Sequence, residues 1–286
     1  MTARVFDERL CELGEGPLWH PERGQLFWVD ILNGTLLSRD GPDQLAWSFD
    51  AMISALGWID RERLLVVSET ALIEFTIDTG ERRIVADLDL GYGMRTNDGR
   101  ADPWGGFWFS SMHKDAEPRA GAIYRLVNGR VERLFTDITI ANAICFSPDR
   151  QFAYFADTPL GEVRRVALDG TTGMPSGAPE VFLDLSKEGL NPDGAVTDAE
   201  GNLWIAQWGA SRVAVYDPRG MFLRAIAVDA PNTSCPAFGG PEFSTLFCTS
   251  AREGMDADDL AARPRSGMVF AAEGVGRGQA EPAVIL

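Results

Sequence analysis

A turn followed by an apolar, strand-prone run recurs six times along this 286-residue chain, and no other feature restricts its fold as strongly. HPERGQLFW at His20 returns as DPWGGFWF at Asp102, SPDRQFAYF at Ser147 and DAEGNLWIA at Asp198, with weaker copies DRERLLVVS at Asp60 and GPEFSTLFC at Gly240. Taking the second residue of each copy as an anchor gives Pro21, Arg61, Pro103, Pro148, Ala199 and Pro241, at steps of 40, 42, 45, 51 and 42 residues. Alternating segments such as GAIYRLV at Gly121, EVRRVAL at Glu162 and RVAVYD at Arg212 follow the anchors, so the unit is a strand meander. A period of roughly 40–45 residues with four strands per unit is the signature of a propeller blade. The expectation is an all-β six-bladed β-propeller occupying residues 1–286 as one domain. The segment around Val5 to Leu10 is expected to close the ring against the last C-terminal strands, which removes an exposed sheet edge. A β-sandwich with accidental spacing is the alternative, and a parallel α/β fold fits less well still, because no strand is followed by a helical-period stretch long enough for a crossover.

Charge and cysteine usage narrow the function classes. With 42 acidic against 26 basic residues the net charge is -16, which repels a phosphate backbone and an anionic lipid surface, so neither nucleic acid nor a membrane is an expected partner. The N-terminal MTARVFDERL carries charges where a signal peptide needs an apolar core, so the cytoplasm is the expected compartment. Cys11, Cys145, Cys235 and Cys248 show no C-x-x-C spacing, and the histidines are His20 and His113, so any metal would be held by oxygen.

In a propeller the innermost strands line a central channel, and equivalent positions of successive repeats meet around it. Six residues before each anchor stand Glu15, Ala55, Asn97, Asn142, Asp193 and Cys235. Strands that crowd an axis favour small or apolar residues, so two carboxylates and two carboxamides at one repeat position point to a site. Such a focus of negative charge must be protonated, paired or met by a cation, and side-chain oxygens select a hard ion. Ca²⁺ is the first expectation, with Mg²⁺, Mn²⁺, Zn²⁺ or Fe²⁺ as alternatives. Two residues further back, on the same strand face, come Leu13, Ile53, Arg95, Ile140, Asn191 and Thr233; Arg95 can neutralise the ring or hold substrate oxygens. His113 lies just beyond the strand FWFSSM, within reach of the channel mouth. Asp102 and Asp198 sit in tight turns, where Asp ordinarily bonds nearby amides. Cys235 lines the ring and has no base placed to activate it.

GEGP at Gly14, RTNDGRADPWGGFW at Arg95, NAICFSPD at Asn142 and NPDGAVTDAEGNLW at Asn191, in this order and spacing, resemble the regucalcin/senescence-marker-protein, gluconolactonase and luciferin-regenerating-enzyme family. The resemblance implies one divalent metal in the central channel, held by Glu15, Asn142 and Asp193, with Asn97 a fourth ligand or a contact to substrate. It matches Arg95 to a substrate-contacting arginine and puts an acidic substrate residue near Asp115. The implied activity is hydrolysis of a small sugar lactone such as a glucono-, arabino- or xylonolactone, with Asp193 the candidate base, by a monomer or weak homo-oligomer. Two alternatives use the same site: an organophosphate or aryl-ester hydrolase, and a calcium-binding regulator without turnover.

Overall fold

Every repeat folds as a four-stranded antiparallel sheet, and the six sheets account for all the strands of the chain. The computed structural model describes all 286 residues. Blade 1 starts with Gly14–His20, blade 2 with Ile53–Asp60, blade 3 with Met94–Ala101, blade 4 with Ala141–Phe146, blade 5 with Asn191–Thr197 and blade 6 with Thr233–Gly239. These innermost strands touch one another in succession, and the last touches the first, which makes the all-β six-bladed β-propeller expected from the repeat. The α-helix content is one short segment, Ala257–Ala262, and no helix is long and apolar enough to cross a membrane.

The core is divided among the blade interfaces. Six clusters of buried apolar side chains each join two neighbouring blades. Strand periodicity explains the division: in Gln25–Asp30 of blade 1, Leu26 and Trp28 pack toward Phe247 of blade 6, while Phe27 and Val29 pack toward Leu64 and Phe75 of blade 2. Such second strands are buried on both faces and therefore read as continuous apolar runs. The outermost strands, such as Asp43–Ser48 and Arg82–Asp87, face solvent and are polar.

Ring closure is built as anticipated but with a shorter strand. Arg4–Asp7 pairs antiparallel with Val269–Glu273 as the outer strand of blade 6, in the register Arg4 with Ala271 and Val5 with Phe270. Glu8 to Leu10 lie beyond it. Here Arg9 takes over, pairing with Asp7 and donating to the carbonyls of Leu45 and Ser38 in blade 1. Ala3 also donates to the Ala227 carbonyl of blade 5 at 2.9 Å. Deleting residues 1–10 exposes an unpaired edge and uncovers Phe270 and Phe247, so it is expected to lower stability by about 3–5 kcal/mol. A melting temperature unchanged by the deletion would show that the closing strand is dispensable.

Candidate metal centre

The innermost strand of each blade is irregular where the repeat arithmetic places the ring. Pairing with the second strand shifts between Glu15 and Leu18, Ile53 and Ala55, Thr96 and Gly99, Asn142 and Cys145, Pro192 and Ala195, and Thr233 and Pro236. A bulge frees a residue from the ladder and re-aims its side chain. The backbone turns left-handed just after the ring position in two blades, at Gly16 (φ 52°) and Ala143 (φ 57°). A β-carbon on Gly16 would lie 2.9 Å from the Ser54 carbonyl oxygen of blade 2, so this turn requires glycine.

Four of the six ring residues, Glu15, Asn97, Asn142 and Asp193, line one cavity of about 280 Å³, and Arg95 lines it with them. These five residues come from blades 1, 3, 4 and 5. Ala55 and Cys235, the ring residues of blades 2 and 6, are buried but do not line it. All five polar residues are buried, with Asp193 only 5% exposed and Glu15 8%.

A hydrogen-bonded chain runs across three blades. Arg95 Nη1 donates to Asn97 Oδ1 at 2.7 Å and to the Thr96 carbonyl at 3.0 Å. Asn97 Nδ2 donates to Asn142 Oδ1 at 2.8 Å and to the Ala141 carbonyl at 3.1 Å, and Asn142 Nδ2 donates to Thr158 Oγ1 at 2.9 Å. The Thr158 hydroxyl donates to the carbonyl of Pro192, the residue before Asp193, at 2.7 Å. With both amide hydrogens of Asn97 committed to oxygens, its own oxygen is turned to Arg95. Asn142 keeps a second lone pair on Oδ1.

Neither Glu15 nor Asp193 forms an ion pair; their polar partners are the amides of Gly16, 2.9 Å from Glu15 Oε2, and of Gly194. Burial raises the pKa of both; the charge of buried Asp98 raises Glu15 further, and the charges of Glu15 and Asp98 raise Asp193 further. Two uncompensated carboxylates beside a carboxamide oxygen form the donor set of a hard divalent cation, so the residues fit such an ion on their chemistry. Burial lowers the Arg95 pKa, opposed by the charges of Glu253, Glu15 and Asp193.

His113 and Asp115 are not brought to the cavity wall. Lys114 and Ala116 reach the cavity wall, but the Asp115 side chain between them is 89% exposed. His113 packs beneath Gly93, where a β-carbon would lie 2.3 Å from Nε2, and its Nδ1 accepts from the Asp115 amide. Asp102 and Asp198 are the structural braces that their turns imply: Asp102 accepts from the amides of Trp104 and Gly106 and pairs with Arg125, while Asp198 accepts from Glu200, Asn202 and Trp204.

Sequence reasoning missed Thr158, Trp208, Lys114 and Glu253, all on the cavity wall. Each lies at or just after the end of a second strand, in blades 4, 5, 3 and 6 respectively. It also missed Asp98, which stands in the RTNDGR motif and is fixed behind the wall by the amides of Ile144 (2.7 Å) and Gly99 (2.8 Å).

Fold and cavity together define a six-bladed β-propeller with an acidic, all-oxygen centre on its channel. Residues 13–252 match the family described as SMP-30/Gluconolactonase/LRE-like region. A solved structure described as a calcium-binding protein, regucalcin, from Agrobacterium tumefaciens superposes with a TM-score of 0.97 at 39% identity, covering 100% of this chain and 98% of that one. A Rhizobium meliloti protein provisionally named a sugar lactone lactonase is 39% identical over 99% of this chain and 97% of its own length. The L-arabinolactonase of Azospirillum brasilense is 35% identical over 91% of this chain and 88% of its own. The chain belongs to the SMP-30/gluconolactonase/LRE-like family.

Proposed function

We propose that this protein is a metal-dependent lactonase that opens a small sugar lactone to the aldonic acid. The observation that carries the reading is the convergence of Glu15, Asn142 and Asp193, from three different blades, on one cavity that also holds the Arg95 guanidinium. The names of the relatives, several of them lactonases, support the substrate class, and regucalcin, described as calcium-binding, supports a divalent cation with Ca²⁺ first.

Glu15, Asn142 and Asp193 would hold the cation; Asn97 stands between Arg95 and Asn142 and orients both. A divalent ion there supplies Lewis-acid polarisation of the lactone carbonyl. Arg95 has spent only Nη1 on the protein, so Nη2 and Nε remain to donate to the oxygens of the lactone and to charge that develops on them. Water adds to the carbonyl carbon, the ring carbon–oxygen bond breaks, and a proton passes from the water to the departing ring oxygen. Asp193 is the carboxylate in place to carry that proton.

The test is a titrimetric rate on a panel of aldonolactones, aryl esters and organophosphates after chelation and return of single metals. Hydrolysis of a lactone lost on chelation and restored by one divalent ion is expected. Preference for aryl esters or organophosphates would move the chemistry to another acyl or phosphoryl substrate, and ion binding without turnover of anything would leave a regulator. Arg95→Lys keeps the charge but loses the fork, so kcat/KM is expected to fall about tenfold or more with cation affinity retained. Equal loss of both would make Arg95 a brace for the carboxylates.

A further inference from the structure

Glu253 is a carboxylate that the cavity has but the proposed reaction does not use. It follows the second strand of blade 6, Thr245–Ser250, and is fixed from both sides of its backbone: its amide donates to the Glu12 carbonyl at 2.9 Å, and its carbonyl accepts from Asn232 Nδ2 at 3.0 Å. Its side chain lines the cavity, half-buried, with no ion pair and no hydrogen bond of its own. Its charge acts on the Arg95 guanidinium together with those of Glu15 and Asp193, yet no guanidinium nitrogen lies within 4.0 Å of the Glu253 carboxylate oxygens. Opposite charges in one small cavity, facing but not touching, leave a gap that suits a group able to accept from one and donate to the other. A sugar hydroxyl is such a group, because it accepts from the guanidinium and donates to the carboxylate in the same pose.

The other charges near the opening do not offset Glu253. Lys114, the other cation on the wall, is held by Glu69 at 2.6 Å. Asp115 and Glu117, beyond it, are exposed acids. A cation at Glu15 and Asp193 would cancel those two carboxylates and leave Glu253 unbalanced at the outer end.

We propose that Glu253 is a specificity-determining residue: with Arg95 it brackets a hydroxyl of the sugar, and its charge turns away lactones that bear an anionic substituent. The inference rests on the lactonase reading for its substrate class but concerns recognition, so binding and turnover test it separately. Among the relatives of this chain one is named for a sulfonated lactone, 6-deoxy-6-sulfogluconolactonase of Pseudomonas putida, and another for an uncharged one, the L-arabinolactonase of Azospirillum brasilense.

The experiment compares wild type, Glu253→Gln and Glu253→Asp on gluconolactone and 6-phosphogluconolactone, and measures calorimetric affinity for sorbitol and sorbitol 6-phosphate with and without added Ca²⁺. Wild type is expected to favour the neutral lactone in kcat/KM, by about tenfold or more at low salt, with the preference shrinking as salt rises. Glu253→Gln keeps a hydrogen-bonding side chain and loses the charge: the preference should shrink about tenfold, through a lower KM for the anionic lactone. Glu253→Asp retains the charge but withdraws it from the hydroxyl, so discrimination persists while KM for the neutral lactone rises. A neutral-to-anionic ratio unmoved in Glu253→Gln, in a variant that melts as wild type does, overturns the proposal. Failure to hydrolyse either lactone, with sorbitol still preferred over its phosphate in wild type and not in Glu253→Gln, overturns the lactonase reading and leaves Glu253 as the selector.

Discussion

Replacing Asp193 by Asn is expected to lower kcat/KM on a sugar lactone by a factor of ~10² or more and to raise, not lower, the melting temperature of the metal-free protein. The substitution keeps the size of the side chain and its bond from the Gly194 amide, and removes one of two carboxylate charges and the candidate base. Stability moves the other way because the Asp193 pKa is raised by burial and by Glu15. A carboxylate with a raised folded-state pKa contributes stability below the ordinary carboxylate range and loses it as pH climbs through the raised value. At neutral pH the metal-free wild type is therefore strained by this pair, and Asn relieves it, the trade of stability for activity expected at a functional site. Glu15→Gln should chiefly weaken cation affinity, with activity partly rescued by excess ion. Asp198→Asn is the control, since it loosens a turn that Glu200, Asn202 and Trp204 depend on: it should cost stability, about 1–2 kcal/mol, and leave the rate alone. If Asp193→Asn and Glu15→Gln both hydrolyse lactone at the wild-type rate in chelator-treated buffer, the metal-lactonase reading fails.

Glu15, Asn97, Asn142 and Asp193 were legible because each stands six residues before its anchor, on an innermost strand whose irregularity falls at the same place in every repeat. Counting backward six residues from Pro21, Pro103, Pro148 and Ala199 reaches the cavity every time. Counting forward does not work, because the wall residues stand at unequal distances from their anchors, nine after Ala199, ten after Pro148, eleven after Pro103 and twelve after Pro241, at or beyond the far side of the second strand. Thr158, Trp208, Lys114 and Glu253 all lie on that far side. Their chemistry also shares no pattern: a hydroxyl, an indole, an ammonium and a carboxylate occupy related places, and a search for repeated residue types passes over them. His113 and Asp115 do not line the wall although Lys114 and Ala116 beside them do, since proximity in sequence to a strand end does not say which side chains of the following turn face the channel. The bulges were invisible as well, although GEGP carries a trace of one in Gly16, whose left-handed backbone and contact with Ser54 explain why no other residue fits there.

The far end of the channel carries a large single-residue stability effect, at a pair that no repeat pattern could disclose because one partner stands outside the repeats. Arg100, on the innermost strand of blade 3, is buried, with Nε donating to the Ile144 carbonyl of blade 4 and Nη2 to the Ala195 carbonyl of blade 5, each at 3.0 Å. Its Nη1 pairs with Glu281 of the C-terminal segment. That segment is pinned by the Trp58 indole donating to the Glu281 carbonyl at 2.7 Å, by the Val284 amide to the Trp58 carbonyl and by the Ile285 amide to the Gly105 carbonyl, both at 2.8 Å. Val284 joins the cluster of Phe107 and Leu65 between blades 2 and 3. Four blades are thus tied to the tail through one guanidinium and one indole. Glu281→Ala removes the carboxylate and leaves a buried cation with Asp98 as its nearest recourse, so it is expected to cost about 3 kcal/mol, read as a melting temperature lower by roughly 5–10 °C. Lactone kcat/KM should stay within about threefold, because the pair lies away from the cavity of Glu15 and Asp193. Arg100→Met with Glu281→Met separates charge from packing: an apolar pair of similar volume avoids the desolvation of both ions and should recover most of the loss. A double variant as unstable as Glu281→Ala would show that the guanidinium acts through its two carbonyl bonds between blades 4 and 5, and a Glu281→Ala protein that melts with wild type would show that the tail is held by its backbone alone.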